Sequence, residues 1–421
     1  MSSKQKLQTL KGFRDFYPEE MAFQKWLYKK VQKVSELYGF EEYNGPILEP
    51  LDLYAAKSGE ELVKKQAYTL ETKSGETITL RPEMTPSLAR MVAQKEGQLT
   101  FPIRWFTYGS RFRYETPQRG RGREFFQWDI DILGTQNPES DAEIISIAAA
   151  FYKEIGLTPN EAVIKVNDRK YLQDELAKIG IEKSETAFKI IDKKEKVSKS
   201  DFEEMLKELT LTETQIGQLN KILNNLDGYK NSTWLMKIFE YLKQTELAEY
   251  VVFDPTIVRG LDYYTRTVFE GWDVKGELRS IWGGGRYDNL TSDVGSKSKI
   301  PGVGFAMGDM VLTELLKENN KYPKLKTIKT KVLVTVFDEK TQVQSIKVAR
   351  QLRENNINTE LYPDSEVKLD KQLKYADKKQ IPWVVVIGPE EAKENKVTVK
   401  NMQSGEQQKI NLTDLIALIS K

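Results

Sequence analysis

FTYGSRFRYETPQRGRGREFFQWDIDILG, residues 106–134, reads as two strands joined by a polar, glycine-interrupted loop, which is the pattern of an antiparallel hairpin. Alternation along the first strand puts Arg111, Arg113 and Glu115 on one face. Along the second it sets Gln127, Asp129 and Asp131 against Trp128 and Ile130. Six of the chain's sixteen arginines fall between Arg104 and Arg123, with no lysine and one acid, Glu115, although lysine outnumbers arginine threefold overall. A planar guanidinium makes oriented, two-pronged contacts with phosphate or carboxylate, whereas lysine is a flexible point charge. The hairpin is therefore expected to present oxyanion ligands, a carboxylate and the ring of Phe125 or Phe126 to one pocket. A solvated basic hairpin with a polar edge strand is the plainer alternative.

Outward from the hairpin, other stretches share its mixture of charge and strand pattern. LRPEMTPSLARMV (80–92) offers Thr85 as a helix N-cap with Pro86 at the first helical position, and Glu83 stands just before it, where it could also complement the helix dipole. VRGLDYYTRTVFEGW (258–272) alternates as a strand from Tyr264 to Phe269 but opens on Arg259, Asp262 and two adjacent tyrosines, Tyr263 and Tyr264. WGGGRYDNL (282–290) and PGVGFAMGD (301–309) let backbone approach a ligand or another strand, and neither has the form of a nucleotide P-loop.

Composition narrows the chemistry. The 421 residues include no cysteine and no histidine. Disulfides, thiolate zinc sites, serine triads and imidazole metal sites are excluded, and acid–base work is left to carboxylates, tyrosine, lysine, water or the substrate. No unperturbed side chain titrates near neutrality. A net charge of +2 gives no global field, so a polyanionic partner must be met by local patches. The N-terminus has no apolar signal core and the longest apolar run, around 144–152, is far short of a membrane span, so a cytoplasmic protein is expected.

The length fits two or three domains. Residues 1–165 mix helical segments with short strands, 166–245 turn rich in Lys, Glu, Leu and Ile at helical spacing, and strand-like text resumes at EYVVFDP. The reading is a discontinuous α+β domain, 1–165 plus 246–320, interrupted by a helical insertion at 166–245. A linker at 321–329 then leads to a small α/β domain at 330–421.

Taken in order, these stretches resemble the histidyl-tRNA synthetases, a family of class II aminoacyl-tRNA synthetases, over essentially the whole chain. YGFEEYNGPILEP is similar to class II motif 1, with Pro46 at a dimer interface, and the opening hairpin is similar to motif 2. VRGLDYY and WGGGRYDNL resemble the family's own histidine signatures. The resemblance implies a class II antiparallel-sheet catalytic domain with a helical insertion and a C-terminal anticodon-binding domain. It implies a homodimer that uses ATP and Mg2+ to convert L-histidine to histidyl-adenylate and then charges tRNA(His). Arg113, Gln127 and Arg259 would form the catalytic set, with Arg113 and Arg259 at the α-phosphate and carboxylate. Arg121 would meet the outer phosphates, Glu115 the nucleotide, and Phe125 would stack on adenine. Glu83, Thr85 and Gln127 would receive the substrate ammonium group, Asp131 and Tyr264 its imidazole, and Tyr263 would line the pocket. Gln118 and Arg123 would contact the tRNA acceptor end, and no protein group is assigned to the metal.

The chain departs from the class at motif 3, where GFAMGDMVL places Asp309, Met310 and Val311 at the position expected to carry a phosphate-binding arginine. Arg121 with Mg2+, Arg279, Arg286 or a lysine is left to serve. The rival reading is a site that keeps histidine binding alone, as in the regulatory subunit of ATP phosphoribosyltransferase. A plain RNA-binding module would leave Glu83, Gln127, Asp131 and the Arg-Tyr-Tyr cluster without a purpose.

Overall fold

The computed structural model describes residues 7–55, 65–194, 197–207, 209–259 and 263–420, and it divides into two units between Pro323 and Lys324. The first is organised by eight strands: β1 (Glu41–Glu42), β2 (Ile103–Phe112), β3 (Glu124–Leu133), β4 (Ala162–Asp168), β5 (Val251–Phe253), β6 (Thr267–Asp273), β7 (Trp282–Tyr287) and β8 (Gly302–Gly308). Their order is β1-β2-β3-β8-β7-β6-β4-β5. The six inner strands are antiparallel, as the hairpin implies, while β1 and β5 add parallel edges.

β3 lies inside this sheet, so the polar edge strand allowed by its sequence is not what forms. Period two sends Trp128, Ile130 and Ile132 to the back face, where all three are buried. Trp128 packs there on Phe151 and Phe305, with ring centroids 5.0 and 4.9 Å apart. Each such side chain contributes roughly 1.5–3 kcal/mol of burial. The covering helices are α1 (Pro18–Leu37), whose Phe23, Leu27, Val31 and Val34 are buried at helical spacing, and α3 (Pro138–Glu154), capped by the Asn137 side chain. Between them in sequence, α2 (Thr85–Lys95) follows a small antiparallel sheet of Leu48–Pro50, Tyr68–Glu71 and Thr77–Leu80.

Gln127, Asp129 and Asp131 therefore face forward together. Their register partners on β8 are Gly308, Ala306 and Gly304, and β7 continues the same face with Gly283 and Gly285. This floor of glycine and alanine leaves open space in front of a row of polar groups. The geometry requires the glycines: a Cβ at Gly283 would collide with the Arg259 guanidinium, and one at Gly304 with the Asp131 carboxyl.

Among the described residues, the chain between β4 and β5 is mainly helical, with five α-helices between Arg169 and Lys243, and β4 extends to Asp168 in the main sheet. The helix α4 (Asp309–Glu318) closes the first unit. The second unit carries β9 (Val332–Val334), β10 (Thr359–Leu361), β11 (Trp383–Val386), β12 (Val397–Asn401) and β13 (Gln407–Ile410), in the order β10-β9-β11-β12-β13. Parallel pairing of β9 with β10 and β11, and helices at Glu339–Glu354, Leu369–Lys378 and Leu412–Ser420, make it the α/β arrangement expected. Val334, Leu352, Val385, Val399 and Leu415 form its core.

Candidate active site

A cleft opens on the forward face. It gathers Glu83 and Thr85 from the start of α2, and Arg113, Glu115, Arg121 and Phe125 from the hairpin. Gln127 and Asp131 of β3 join them, with Arg259, Tyr263 and Tyr264 from the segment leading to β6. Residues about 180 apart in sequence meet, as where the Tyr263 hydroxyl donates to Glu83 Oε2 at 3.3 Å. Gly260, Leu261 and Asp262 of VRGLDYY lie outside the described residues.

One end of the cleft is acidic. Tyr287 donates its hydroxyl to Asp131 Oδ1 at 2.7 Å, and burial, joined by the Asp129 charge, pushes the Asp131 carboxyl up to about 8 although the Tyr287 bond pulls it down. Burial likewise raises Asp129, against which Arg111 Nη2 donates at 2.7 Å. Tyr263 and Tyr264 stack obliquely at 4.8 Å, and burial raises both hydroxyls above the ordinary phenol range.

The other end is cationic. Arg259 Nη1 reaches Glu270 Oε1 at 2.5 Å; burial would lower its pKa, but the Glu270 charge offsets this and holds the guanidinium above its ordinary value. Its backbone has φ of 59°, a left-handed conformation costly for a side chain of this size and characteristic of functional positions. Arg113 donates Nε to the Pro82 carbonyl at 2.9 Å with its guanidinium 5.4 Å from the Phe125 ring centre, and Arg121 pairs with Glu115 at 2.7 Å.

Three buried polar atoms of the cleft, Gln127 Oε1, Asp129 Oδ1 and Arg259 Nε, have no hydrogen-bond partner among the described residues. Each such atom costs about 1–3 kcal/mol, so their convergence marks a place where a polar ligand completes the bonding. An ammonium group suits the acidic end and carboxylate and phosphate oxygens the cationic end.

Several expectations are changed. Arg111 does not line the cleft as an oxyanion ligand: it is buried beneath it against Asp129, because the strand delivers it to the sheet surface before the hairpin opens. Phe125, not Phe126, faces the cleft; Phe126 stacks on Tyr108 at 5.7 Å on the opposite side. The helix α2 begins at Thr85, placing that side chain inside the first turn and on the cleft instead of at the cap. Gln118 and Arg123 sit outside the cleft. Gln118 and Arg121 exchange backbone hydrogen bonds across a turn that needs Gly120 at φ of 70°, and Arg123 lies over the Tyr114 ring at 4.0 Å.

Sequence reading passed over Glu270, Tyr287 and Arg81. Glu270, an acid inside an otherwise apolar strand, was a visible signal, and Tyr287 lay within a quoted glycine-rich stretch. Arg81 carried none. It bridges the Asn44 side chain and Gly45 carbonyl, both at 2.8 Å, to the Ser110 carbonyl at 3.0 Å, and burial with Arg111 nearby pulls it down to about 10.

Comparison with known proteins gives a consistent result. The family description of histidyl-tRNA synthetase matches residues 12–310, and that of the anticodon binding domain matches residues 331–421. The histidine–tRNA ligase of Leptospira biflexa is 36% identical over 99% of this chain and 98% of its own length. That of Thermoplasma volcanium is 38% identical over 99% of both. Among solved structures, histidyl-tRNA synthetase from Nostoc sp. PCC 7120 superposes with a TM-score of 0.81 at 27% identity, covering 99% of each chain. With two family descriptions in order along the sequence and relatives aligned end to end, the chain belongs to the histidyl-tRNA synthetase family of class II aminoacyl-tRNA synthetases.

Proposed function

We propose that this chain is an ATP-dependent histidine–tRNA ligase and that its cleft residues divide the reaction between them. The acidic end binds the amino acid: Glu83, Thr85 and Gln127 take the ammonium group, Asp131 and Tyr264 the two imidazole nitrogens, and Tyr263 closes the side. The cationic end binds ATP, with Glu115 and Phe125 at the nucleotide, Arg121 at the outer phosphates, and Arg113 and Arg259 at the α-phosphate. A carboxylate oxygen of histidine attacks the α-phosphorus; a phosphorus–oxygen bond forms and pyrophosphate leaves with the electron pair. Fixed positive charge from Arg113 and Arg259 stabilises the five-coordinate transition state. The attacking carboxylate is already ionised at neutral pH, so this step needs no general base, in keeping with a chain that has no histidine. In the second step a terminal ribose hydroxyl of tRNA(His) attacks the activated carbonyl, an ester bond forms as the acyl–phosphate bond breaks, and AMP departs with the hydroxyl proton taken up by a phosphate oxygen of the leaving group.

The donor set at the cationic end suits magnesium brought in on the phosphates. Among the described residues no cluster of three acidic side chains could cage a cation, and Glu115 is the carboxylate we assign to the nucleotide. When bound, the ion would neutralise charge on the outer phosphates. Gln118 and Arg123, on the exposed side of the hairpin, are assigned to the tRNA acceptor end, and the second unit to the anticodon. Exposed Pro46, Ile47 and Leu48 form an apolar strip that supports a homodimer, checked by gel filtration. No helix among the described residues is long and apolar enough to cross a membrane, and we assign the protein to the cytoplasm.

The observation that carries this reading is the convergence of eleven assigned residues on one cleft with unpartnered polar atoms at both ends. Histidine-dependent exchange of pyrophosphate into ATP tests it. The intact chain is expected to exchange, and Arg259→Ala to lose at least about 100-fold in rate with its circular dichroism unchanged. Tight histidine binding without any exchange would replace the ligase reading by the histidine-sensor one.

A further inference from the structure

We infer that Arg279 supplies, beside Arg121, the outer-phosphate cation that motif 3 lacks, and contacts the β- and γ-phosphate oxygens of ATP and the oxygens of pyrophosphate. The inference rests on the ligase reading for the identity of the ligand.

The position from which that cation would ordinarily come is filled in another way. Asp309, at the start of α4, is buried and accepts hydrogen bonds from Arg14 Nη2 at 3.0 Å, Gln24 Nε2 at 2.7 Å and the Phe126 amide at 3.0 Å. It is a structural tie between α1, β3 and α4. The next two side chains, Met310 and Val311, pack against the hairpin loop: a Cβ at Gly122 would stand 2.9 Å from Met310 Sδ and one at Gly120 3.0 Å from Val311 Cγ2. Both line the cleft but carry no charge, so no cation is presented from there.

Of the other candidates, Arg286 is 1% exposed and spends its donors on Asp141, Ser140 and the carbonyls of Thr135 and Asn137. Among the described residues no lysine lines the cleft. Arg121 is engaged by Glu115, Arg113 by the Pro82 carbonyl and Arg259 by Glu270.

Arg279 is different. It lines the cleft, is exposed at its mouth, and among the described residues makes no ion pair or side-chain hydrogen bond. Its backbone is nonetheless fixed. Asp273 accepts the amides of Glu277 and Leu278 at 2.9 and 3.1 Å, Leu278 and Ile281 are buried on either side, and the Ile281 amide is bound by the Gly271 carbonyl at 2.8 Å. A guanidinium with free donors thus hangs from an anchored loop. Desolvation and the nearby Arg121 and Arg113 lower its pKa against the opposing pull of Glu115 and Glu270, so cations outnumber acids at this end of the cleft. Such convergence is unfavourable without a polyanion and favourable with one. A triphosphate has the acceptor oxygens to occupy several guanidiniums at once.

Calorimetric titration of the full-length protein and its Arg279→Gln variant with MgATP, magnesium pyrophosphate and a non-hydrolysable histidyl-adenylate analogue tests this. Loss of one charge-assisted contact is expected to raise the Kd for ATP and for pyrophosphate by roughly 10- to 100-fold. The analogue has no outer phosphates, so its Kd is expected to stay within about twofold, and Arg279→Lys, which keeps the charge and loses the fork, should fall between. Unchanged ATP and pyrophosphate affinities overturn the inference, as does an equal loss for all three ligands, which would make Arg279 a structural residue. A raised KM for tRNA with unchanged ATP binding overturns it too, in favour of a nucleic-acid phosphate. Exchange by the unaltered chain is read separately: its absence with Arg279-dependent ATP binding removes the ligase reading alone, and its presence with Arg279-independent binding removes this inference alone.

Discussion

Replacing Asp131 by Asn should make the free protein more stable and a worse histidine binder. The carboxyl is 3% exposed, and burial raises its pKa from the reference of 3.8 to about 8. Between those values the native state binds more protons at this site than the unfolded chain does, so stability falls as pH rises from about 4 and levels off above about 8. At pH 7 the interval from 3.8 is 3.2 units, which at about 1.36 kcal/mol per unit is a cost of at most about 4 kcal/mol that Asn would not carry. Asn keeps an oxygen for the Tyr287 hydroxyl, so no hydrogen bond is forfeited. Spread over a unit of this size, the gain corresponds to roughly 6 °C in Tm. Calorimetric melting of the two proteins from pH 4 to pH 9 should show Asp131→Asn level with the parent near pH 4 and ahead of it by a growing margin up to pH 8. Histidine titration should show affinity reduced by roughly 100-fold, the effect of losing a hydrogen-bonding partner in a site built to satisfy an imidazole. A variant no more stable than the parent at pH 8, or one whose advantage is the same at pH 4 and pH 8, would refute the electrostatic account of this residue.

Other perturbations probe different parts of the structure. Gly283→Ala places a methyl group where the Arg259 guanidinium lies, and should cut histidine-dependent exchange by at least about 100-fold with little change in Tm; a normal rate would mean that Arg259 acts from elsewhere. Arg286→Leu leaves Asp141 buried without its cation and should destabilise the protein by about 3–5 kcal/mol in urea titration, with much of the loss recovered when Asp141→Asn is added; no recovery would contradict the pairing. A chain with no histidine consumes no histidyl-tRNA in its own synthesis, so pulse labelling during histidine limitation should show its production continuing after that of histidine-containing proteins falls. Simultaneous arrest would dispose of that advantage.

The hairpin at 106–134 was legible because its information is local: alternation, a glycine-broken loop and a choice of arginine over lysine are all visible within thirty residues. The strand neighbours of β3 were not. That Asp129 and Asp131 are buried follows from β8 pairing beside them, a contact across about 175 residues that no periodicity announces. The same limit explains Arg111. Alternation correctly groups it with Arg113, but only the register opposite Phe125 and the carboxylate of Asp129 show that it is spent inside the sheet. Partners such as Tyr287 for Asp131 belong to the same class of long-range pairing. Motif 3 was legible as a missing arginine, and what the structure adds is the purpose of its replacement, since Asp309 ties three elements together.

The absence of histidine also simplifies the protonation chemistry. Burial raises several carboxyls toward or past neutrality: Asp168 to about 6 and Asp131 to about 8, with Asp129, Asp141 and Asp309 also raised. Asp168 faces Arg266 and caps the helix at Arg169, and it does not line the cleft. A transition near pH 8 in histidine binding to the free protein that disappears in Asp131→Asn would belong to Asp131, and one that survives the substitution would not. The features that cost stability also coincide there. A carboxyl held far above its solution value, unpartnered atoms on Gln127, Asp129 and Arg259, and a left-handed arginine all occupy one cleft, whereas the back of the same sheet is conventional apolar packing. Strain concentrated in this way persists when a ligand relieves it. A ligand that brings polar groups to both ends of the cleft, as the proposed histidine and ATP would, relieves this set.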